Sequence, residues 1–188
     1  MYRAQSHSHK YEEYAYVLDF NSRGKSATVK GREGIIITAI GEDHLTLLEI
    51  LGVPNSTFEI GEKIYIGKDG RTKVSSVLGK MEYGHISSSA QSELLTVVEN
   101  IVTINEKKFV DYLNNAQPLT PRIHALELIP GIGKTYMKTM LEEREHQKFE
   151  SYVDLQERVG FKDPVKHISE RIIDEISGES RMNLFVKR

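Results

Sequence analysis

The chain has 188 residues, no cysteine and no tryptophan, with 39% hydrophobic residues, 28% charged residues and a formal net charge of −2. That length suits one large domain or two small ones, and no apolar run approaches the roughly 18 residues of a membrane helix. The lack of cysteine excludes disulfides, Cys-ligated zinc and thiol catalysis. There is no global positive excess, so any affinity for polyanions has to rest on local geometry and local charge. A cytoplasmic protein without membrane contact, monomeric and without cofactor, is the expectation.

Residues 1–12 are polar and aperiodic and read as a disordered tail with no secretory signal. His7 and His9 in "SHSH" are too few for a metal site, and none is expected. From Glu13 onward the hydrophobic period is close to two. "YAYVLDF" (Tyr14–Phe20), "GIIITAI" (Gly34–Ile40), "HLTLLEIL" (His44–Leu51), "EKIYIG" (Glu62–Gly67) and "TKVSSVL" (Thr72–Leu78) read as five strands. Asp69-Gly70 between the last two is a hairpin signal, because a type I′ turn needs positive φ. Five short strands without a long intervening helix predict a small closed or partly closed barrel over residues 13–85. Strand order and lengths, with the Gly-Glu of "FEIGEKIYIG", resemble an OB-like barrel. The link "GVPNSTFEIG" is too short for the helix that fold usually carries, and a Sm-like or SH3-like barrel is the alternative.

Residues 86–117 change to a helical pattern and read as a connector. Ser89 is a candidate N-cap, followed by Leu94, Leu95, Val97, Val98, Ile101 and Val102 on one broad apolar face. Asn105 is a candidate cap of a second helix with Phe109, Val110 and Leu113 inward. "NNAQPLTPR" is a linker, after which Thr120-Pro121 reads as N-cap and N1 of a new helix, opening a domain over residues 118–188. That helix presents Ile123, Leu126, Leu128 and Ile129; Pro130-Gly131-Ile132-Gly133 breaks it; the next presents Met137, Met140 and Leu141. Asp163-Pro164 starts a last helix with Ile168, Ile172, Ile173 and Ile176 on one face. The whole is α+β: a five-stranded barrel, then helices.

Leu126, Ile129, Pro130, Gly131, Ile132, Gly133, Met140, Leu141 and Arg144, with Phe149, Ser151, Asp154 and Leu155 as a connector, resemble the tandem helix-hairpin-helix family over about residues 120–177. The second hairpin, Val159-Gly160-Phe161-Lys162, has Lys162 where the second glycine is usual, and Met137 stands where a small residue is usual. The whole arrangement resembles an archaeal family that pairs such a barrel with such hairpins, a resemblance that implies architecture and no particular activity. The resemblance implies binding of DNA or structured RNA by its backbone, without base reading. The first N–H groups of a helix have no internal acceptor, and the helix dipole makes that end attractive to phosphate. The amides of Gly131, Gly133 and Lys134 in the turn around Ile132 are then the expected phosphate contacts. Side chains of Lys134 and Thr135 add to them, with Gly160, Lys162 and Lys166 serving the second hairpin. Some family members also hold a monovalent cation on hairpin carbonyls, and the sequence leaves that open.

Two basic loops carry Arg23, Lys25, Lys30 and Arg32, and Lys68, Arg71 and Lys73. In a five-stranded barrel the loops joining strands one to two and four to five can flank one groove, and Tyr14, Tyr16 and Tyr65 are candidates to stack on the bases of a single strand. The segment Pro121 to Arg188 is neutral, with twelve basic and twelve acidic residues. The alternative is therefore an adaptor in a translation or repair assembly. No catalytic motif is present. Asp154 lies about where helix-hairpin-helix glycosylases carry a catalytic Asp, but the connector explains it equally, and no catalytic residue is assigned. The apolar tail "MNLFVK" docks on the barrel or on another chain, and the sequence does not choose.

Overall fold

The structure is a computed structural model that describes residues 11–187. The described residues form two compact units: one runs to Glu93 and includes the chain again from Phe185, the other is Leu94–Leu184. His7 and His9, in the segment expected to be a disordered tail, lie outside the described residues.

The first unit is one antiparallel sheet made of β1 (Tyr14–Lys25), β2 (Glu33–Gly41), β3 (Leu47–Gly52), β4 (Lys63–Tyr65) and β5 (Val74–Lys80), in the order β4-β1-β2-β3-β5. The long β1 shifts register between Val17 and Asp19 and again between Asn21 and Gly24. Such bulges bend a strand and increase its twist, and they curl the sheet around Val17, Ile37, Ala39, Ile50, Ile64 and Phe58. β4 and β5 are the two edges and do not pair, so the barrel is a half-barrel. This corrects the hairpin reading of Asp69-Gly70. Gly70 does take positive φ, but the strands on either side of that loop bond to β1 and β3 instead.

Glu12, assigned to the tail by sequence, is part of this unit. Its buried carboxylate accepts the N–H groups of Asp43 (2.8 Å) and His44 (2.7 Å) in the turn after β2. Burial pushes its carboxyl up, partly offset by those amides. At the other end of the chain, Lys187 N–H donates to the His44 carbonyl (3.1 Å), so the C-terminus docks on the half-barrel of its own chain.

The helical region begins with α1 (Ser88–Ile104) and continues with α2 (Glu106–Asn115), α3 (Gly133–His146), α4 (Tyr152–Val159) and α5 (Pro164–Ile176). Ser87, not Ser89, caps α1: its Oγ accepts the Ala90 N–H. The predicted helix from Pro121 is absent. A two-strand ribbon, β6 (Pro118–Thr120) and β7 (Ile123–His124), turns through Thr120, whose Oγ1 accepts the N–H groups of Arg122 and Ile123. A 3-10 turn, Ala125–Leu128, then leads into Ile129. Its start is capped by His124 Nδ1, which accepts from Leu126 N–H, while Glu127 accepts from His124 N–H.

Four polar side chains tie this unit together. Asn114 exchanges both amide hydrogen bonds with the Phe149 backbone, each 2.8 Å. Arg144 donates to the Leu113 and Ala116 carbonyls at the end of α2, a backbone cap of the kind helix C-termini need. On α5, Arg171 pairs with the fully buried Glu175 at 2.9 Å and donates to the carbonyls of Leu128 and Met182. Leu184 N–H donates to Glu175, which fixes the start of the C-terminal segment. No helix among the described residues is long and apolar enough to cross a membrane.

Candidate nucleic-acid interface

The turn between the 3-10 segment and α3 is anchored by two buried isoleucines, Ile129 and Ile132. Ile132 N–H donates to the Ile129 carbonyl (3.2 Å) and closes the bend. Gly131 and Gly133 take φ of +83° and +56°, the left-handed region that favours glycine. Their second requirements differ. A Cβ on Gly131 would fall 2.8–2.9 Å from the His167 ring, so that glycine is needed for packing against α5. A Cβ on Gly133 would meet nothing within 4 Å, so it would project into open space at the mouth of the turn.

Among the described residues, the amides of Gly131, Gly133, Lys134 and Thr135 donate no hydrogen bond, and all four residues are exposed. Three of them are the first residues of α3, where four N–H groups lack intrahelical partners. The charge around them is also unusual. A helix dipole favours acids in the first turn, yet α3 has none there and carries Lys134 instead; its acids Glu142, Glu143 and Glu145 lie toward the other end. The neutral segment is thus locally polarised.

The turn after α4 lies beside the turn before α3. Phe161 is buried and packs between Tyr136 of α3 (5.4 Å between centroids) and His167 of α5 (4.9 Å). The assignment of Gly160 as a phosphate-facing amide is corrected. Gly160, at φ +79°, ends α4, and its N–H donates to the Gln156 carbonyl at 2.8 Å. Among the described residues, the amides that donate no hydrogen bond on this side include Lys162 and the first residues of α5 after Pro164, Val165 and Lys166. Lys162 and Lys166 are exposed next to them.

The half-barrel treats its two basic loops differently. Loop 26–32 is held by Glu49 of β3, whose buried carboxylate accepts from the hydroxyls of Ser26 and Thr28 and the amides of Ala27 and Thr28. Burial raises the Glu49 carboxyl, but those donors outweigh it and the net shift is downward. Arg23, Lys25, Lys30 and Arg32 remain exposed around this loop, with Lys25 3.9 Å from Glu33. In the second loop Lys68 is exposed, whereas Arg71 turns inward and donates to the carbonyls of Ile66, Gly67 and Ser75. Lys73 pairs with Glu62 at 2.6 Å and sits over the Phe58 ring. Arg71 and Lys73 are therefore structural cations that bridge the open side of the half-barrel, not free phosphate contacts. The two loops also start from opposite ends of β1, one after Lys25 and the other from Tyr65 beside Tyr14. A groove of about 560 Å³ is lined by Ser22, Glu33, Ile35, Leu51, Asn55 and Ser75 among others, and none of the basic residues above lines it.

Of the tyrosines, Tyr16 is buried and has no face to offer, while Tyr14 is exposed and meets Tyr65 edge-on. Asp154 accepts the Glu150 N–H and pairs with Arg158 at 3.1 Å, while Ser151 caps α4 by accepting the Asp154 N–H. Both connector residues thus have structural roles. Sequence reasoning missed Tyr136 and His167, which bring the hairpins together; the aromatic and glycine spacings were visible, but their contact is tertiary. It also missed Glu49, a lone acid within an apolar strand, which was itself a signal of a buried carboxylate with partners.

An antiparallel half-barrel followed by five helices, with two glycine-ended turns against one another in the helical region, is the class of protein these observations define. The chain belongs to the family described as "Protein of unknown function (DUF655)", whose model matches residues 11–187. It is 42% identical over 180 residues to the uncharacterized protein MJ0038 of Methanocaldococcus jannaschii, covering 95% of this chain and 81% of that one. It is also similar to the crystal structure of Af1531 from Archaeoglobus fulgidus, with a TM-score of 0.82 and 36% identity, over 94% of this chain and 100% of that one.

Proposed function

We propose that this protein binds the sugar–phosphate backbone of DNA or structured RNA without reading bases and without catalysis. In this reading residues 118–188 act as a tandem helix-hairpin-helix unit and the half-barrel as an OB-like module. The observation that carries it is the run of open amides at Gly131, Gly133 and Lys134, beside those of Val165 and Lys166, with Lys134, Lys162 and Lys166 around them. Phosphate oxygens satisfy such amides and are favoured by the dipole. Contacts of this kind position a backbone and carry no base information.

Gly133→Val tests the reading better than a change at Gly131, because the added side chain occupies the mouth of the turn and not the α5 contact. Binding of a labelled DNA duplex and a stem-loop RNA is measured by anisotropy at several salt concentrations. The wild type is expected to lose affinity with a log–log slope of about −0.9 per DNA phosphate contacted. Gly133→Val is expected to bind at least about tenfold more weakly, a loss on the scale of one charge-assisted hydrogen bond; valine is strained at φ +56°, so its melting temperature falls, and binding is compared at a temperature where its circular dichroism spectrum still matches that of the wild type. Unchanged affinity in the folded variant, or affinity indifferent to salt, would assign the hairpin to protein contacts instead.

A further inference from the structure

We infer that the start of β1 carries a second binding site, separate from the hairpins, on which the bases of a single nucleic-acid strand stack. It rests on nucleic acid being the partner, and not on the hairpin amides. Tyr14 and Tyr65 are directly opposite in the β1–β4 ladder, with ring centroids 5.3 Å apart and planes at 68°. Tyr11 precedes them and is 66% exposed; Tyr14 is 38% exposed. Tyr16, two residues on and on the same face of β1, is buried, so the exposed aromatic surface is confined to the start of the strand. Here Tyr65 lies on the three-residue edge strand β4 and Tyr14 on β1 beside it, so an incoming chain has room to lie along that edge.

Two cations stand against the rings. Lys63 Nζ is 4.5 Å from the Tyr14 centroid and Lys68 Nζ is 5.8 Å from that of Tyr11. Lys63 is held there by Glu42 at 3.1 Å, and Glu42 is itself buried. The backbone makes way for Tyr65: a Cβ on Gly67 would fall 2.4 Å from the Tyr65 hydroxyl, so the ring lies over bare backbone. Rings held in place and flanked by ammonium groups suit a strand that alternates flat bases with phosphates. A duplex hides its base faces and gains nothing from such rings. An apolar protein partner gains nothing from the lysines.

The chain has nine tyrosines and no tryptophan, so tyrosine emission is not masked by tryptophan, and the contribution of the site is read from the difference between wild type and variants. The full-length protein is titrated at low salt with a single-stranded oligo-dT of about 12 nucleotides, within the site sizes of small barrels, and separately with a duplex. The oligo-dT is expected to bind and quench tyrosine emission. Tyr14→Ala with Tyr65→Ala is expected to weaken oligo-dT binding at least about tenfold, whereas Tyr14→Phe with Tyr65→Phe keeps it, because the ring stacks and not the hydroxyl. Duplex affinity changes by less than about twofold in all of these. Should the alanine pair fail to fold, Tyr11→Ala with Lys68→Gln, at exposed positions, is expected to weaken oligo-dT binding about fivefold. Absence of oligo-dT binding by the wild type, wild-type affinity in a folded alanine variant, or an equal loss in the phenylalanine pair would overturn the proposal. Gly133→Val separates the two readings: it is expected to lose duplex and keep oligo-dT. A wild type that binds oligo-dT but no duplex would sink the hairpin reading and leave this one standing.

Discussion

A carboxylate buried at position 49 is stable only if its oxygens are well supplied with donors, and loop 26–32 supplies four. The arrangement works in both directions, since Glu49 also orders the loop that carries Lys30 and Arg32. Glu49→Gln removes the charge and sets an amide group against N–H donors. It is expected to cost about 2 kcal/mol and to speed hydrogen exchange at Ala27 and Thr28 while β2 remains protected. The pH dependence follows from the downward shift. The stability from Glu49 is complete above its ordinary value of 4.5 and is lost as pH falls through its lower folded value. Glu12 runs the other way, because its carboxyl is raised: its contribution is present below 4.5 and fades as pH rises through the folded value.

His124 is the residue that acts nearer neutrality. Burial and then the Arg144 charge push its imidazole below 6.5, with Glu127 opposing them, and its Nδ1 must stay unprotonated to accept from Leu126 N–H. The unfolded chain therefore takes up this proton first on acidification. Stability from His124 is complete above about pH 6.5 and is lost as pH falls through the folded value. His124→Asn keeps a capping side chain without this titration. Melting temperatures at about pH 7.5 and about pH 5.5 are expected to fall further in the wild type than in the variant; an equal fall would contradict the role given to His124.

At the level of elements, the junction after α3 depends on Arg158. Its guanidinium donates to the carbonyls of Glu143 (2.7 Å), Gln147 (2.6 Å) and Lys148 (3.4 Å) and lies 4.5 Å from the Phe149 centroid. Lysine offers neither the planar fork nor the stack. Arg158→Lys is expected to cost about 2 kcal/mol in chemical denaturation; a loss near zero would contradict this reading of the junction. The same level explains what the sequence made visible. Asp163-Pro164 as a helix start was legible, because a proline at the first helical position is a local signal. Thr120-Pro121 misled for the same reason: a hydroxyl that accepts from N–H groups two and three residues on closes a ribbon turn as readily as it caps a helix. Gly70 announced a turn, but a turn residue does not say which strands its flanks will join. Strand periodicity found all five strands of the sheet, while the inward turn of Arg71 and the burial of Tyr16 depend on residues distant in sequence.

For the molecule as a whole, net charge is a poor guide to the surface. The sum of −2 hides cations placed at helix starts and acids placed toward a helix end or paired with arginines. The two units carry different chemistries: open backbone amides in the helical region and outward tyrosine rings on the half-barrel. Part of the candidate site was legible in sequence, since Gly131, Gly133 and Lys134 follow from the motif. Gly160 failed because one glycine serves either to end a helix or to expose an amide, and here its N–H closes α4. The central claim is that the first amides of α3 are the seat of a phosphate, and an amide ¹H–¹⁵N spectrum of the full chain titrated with a short DNA duplex tests it most directly. The amide protons of Gly133 and Lys134 are expected to shift downfield early and furthest, while that of Gly160 stays in place. A duplex that binds without moving Gly133 and Lys134, or does not bind at all, would contradict the claim.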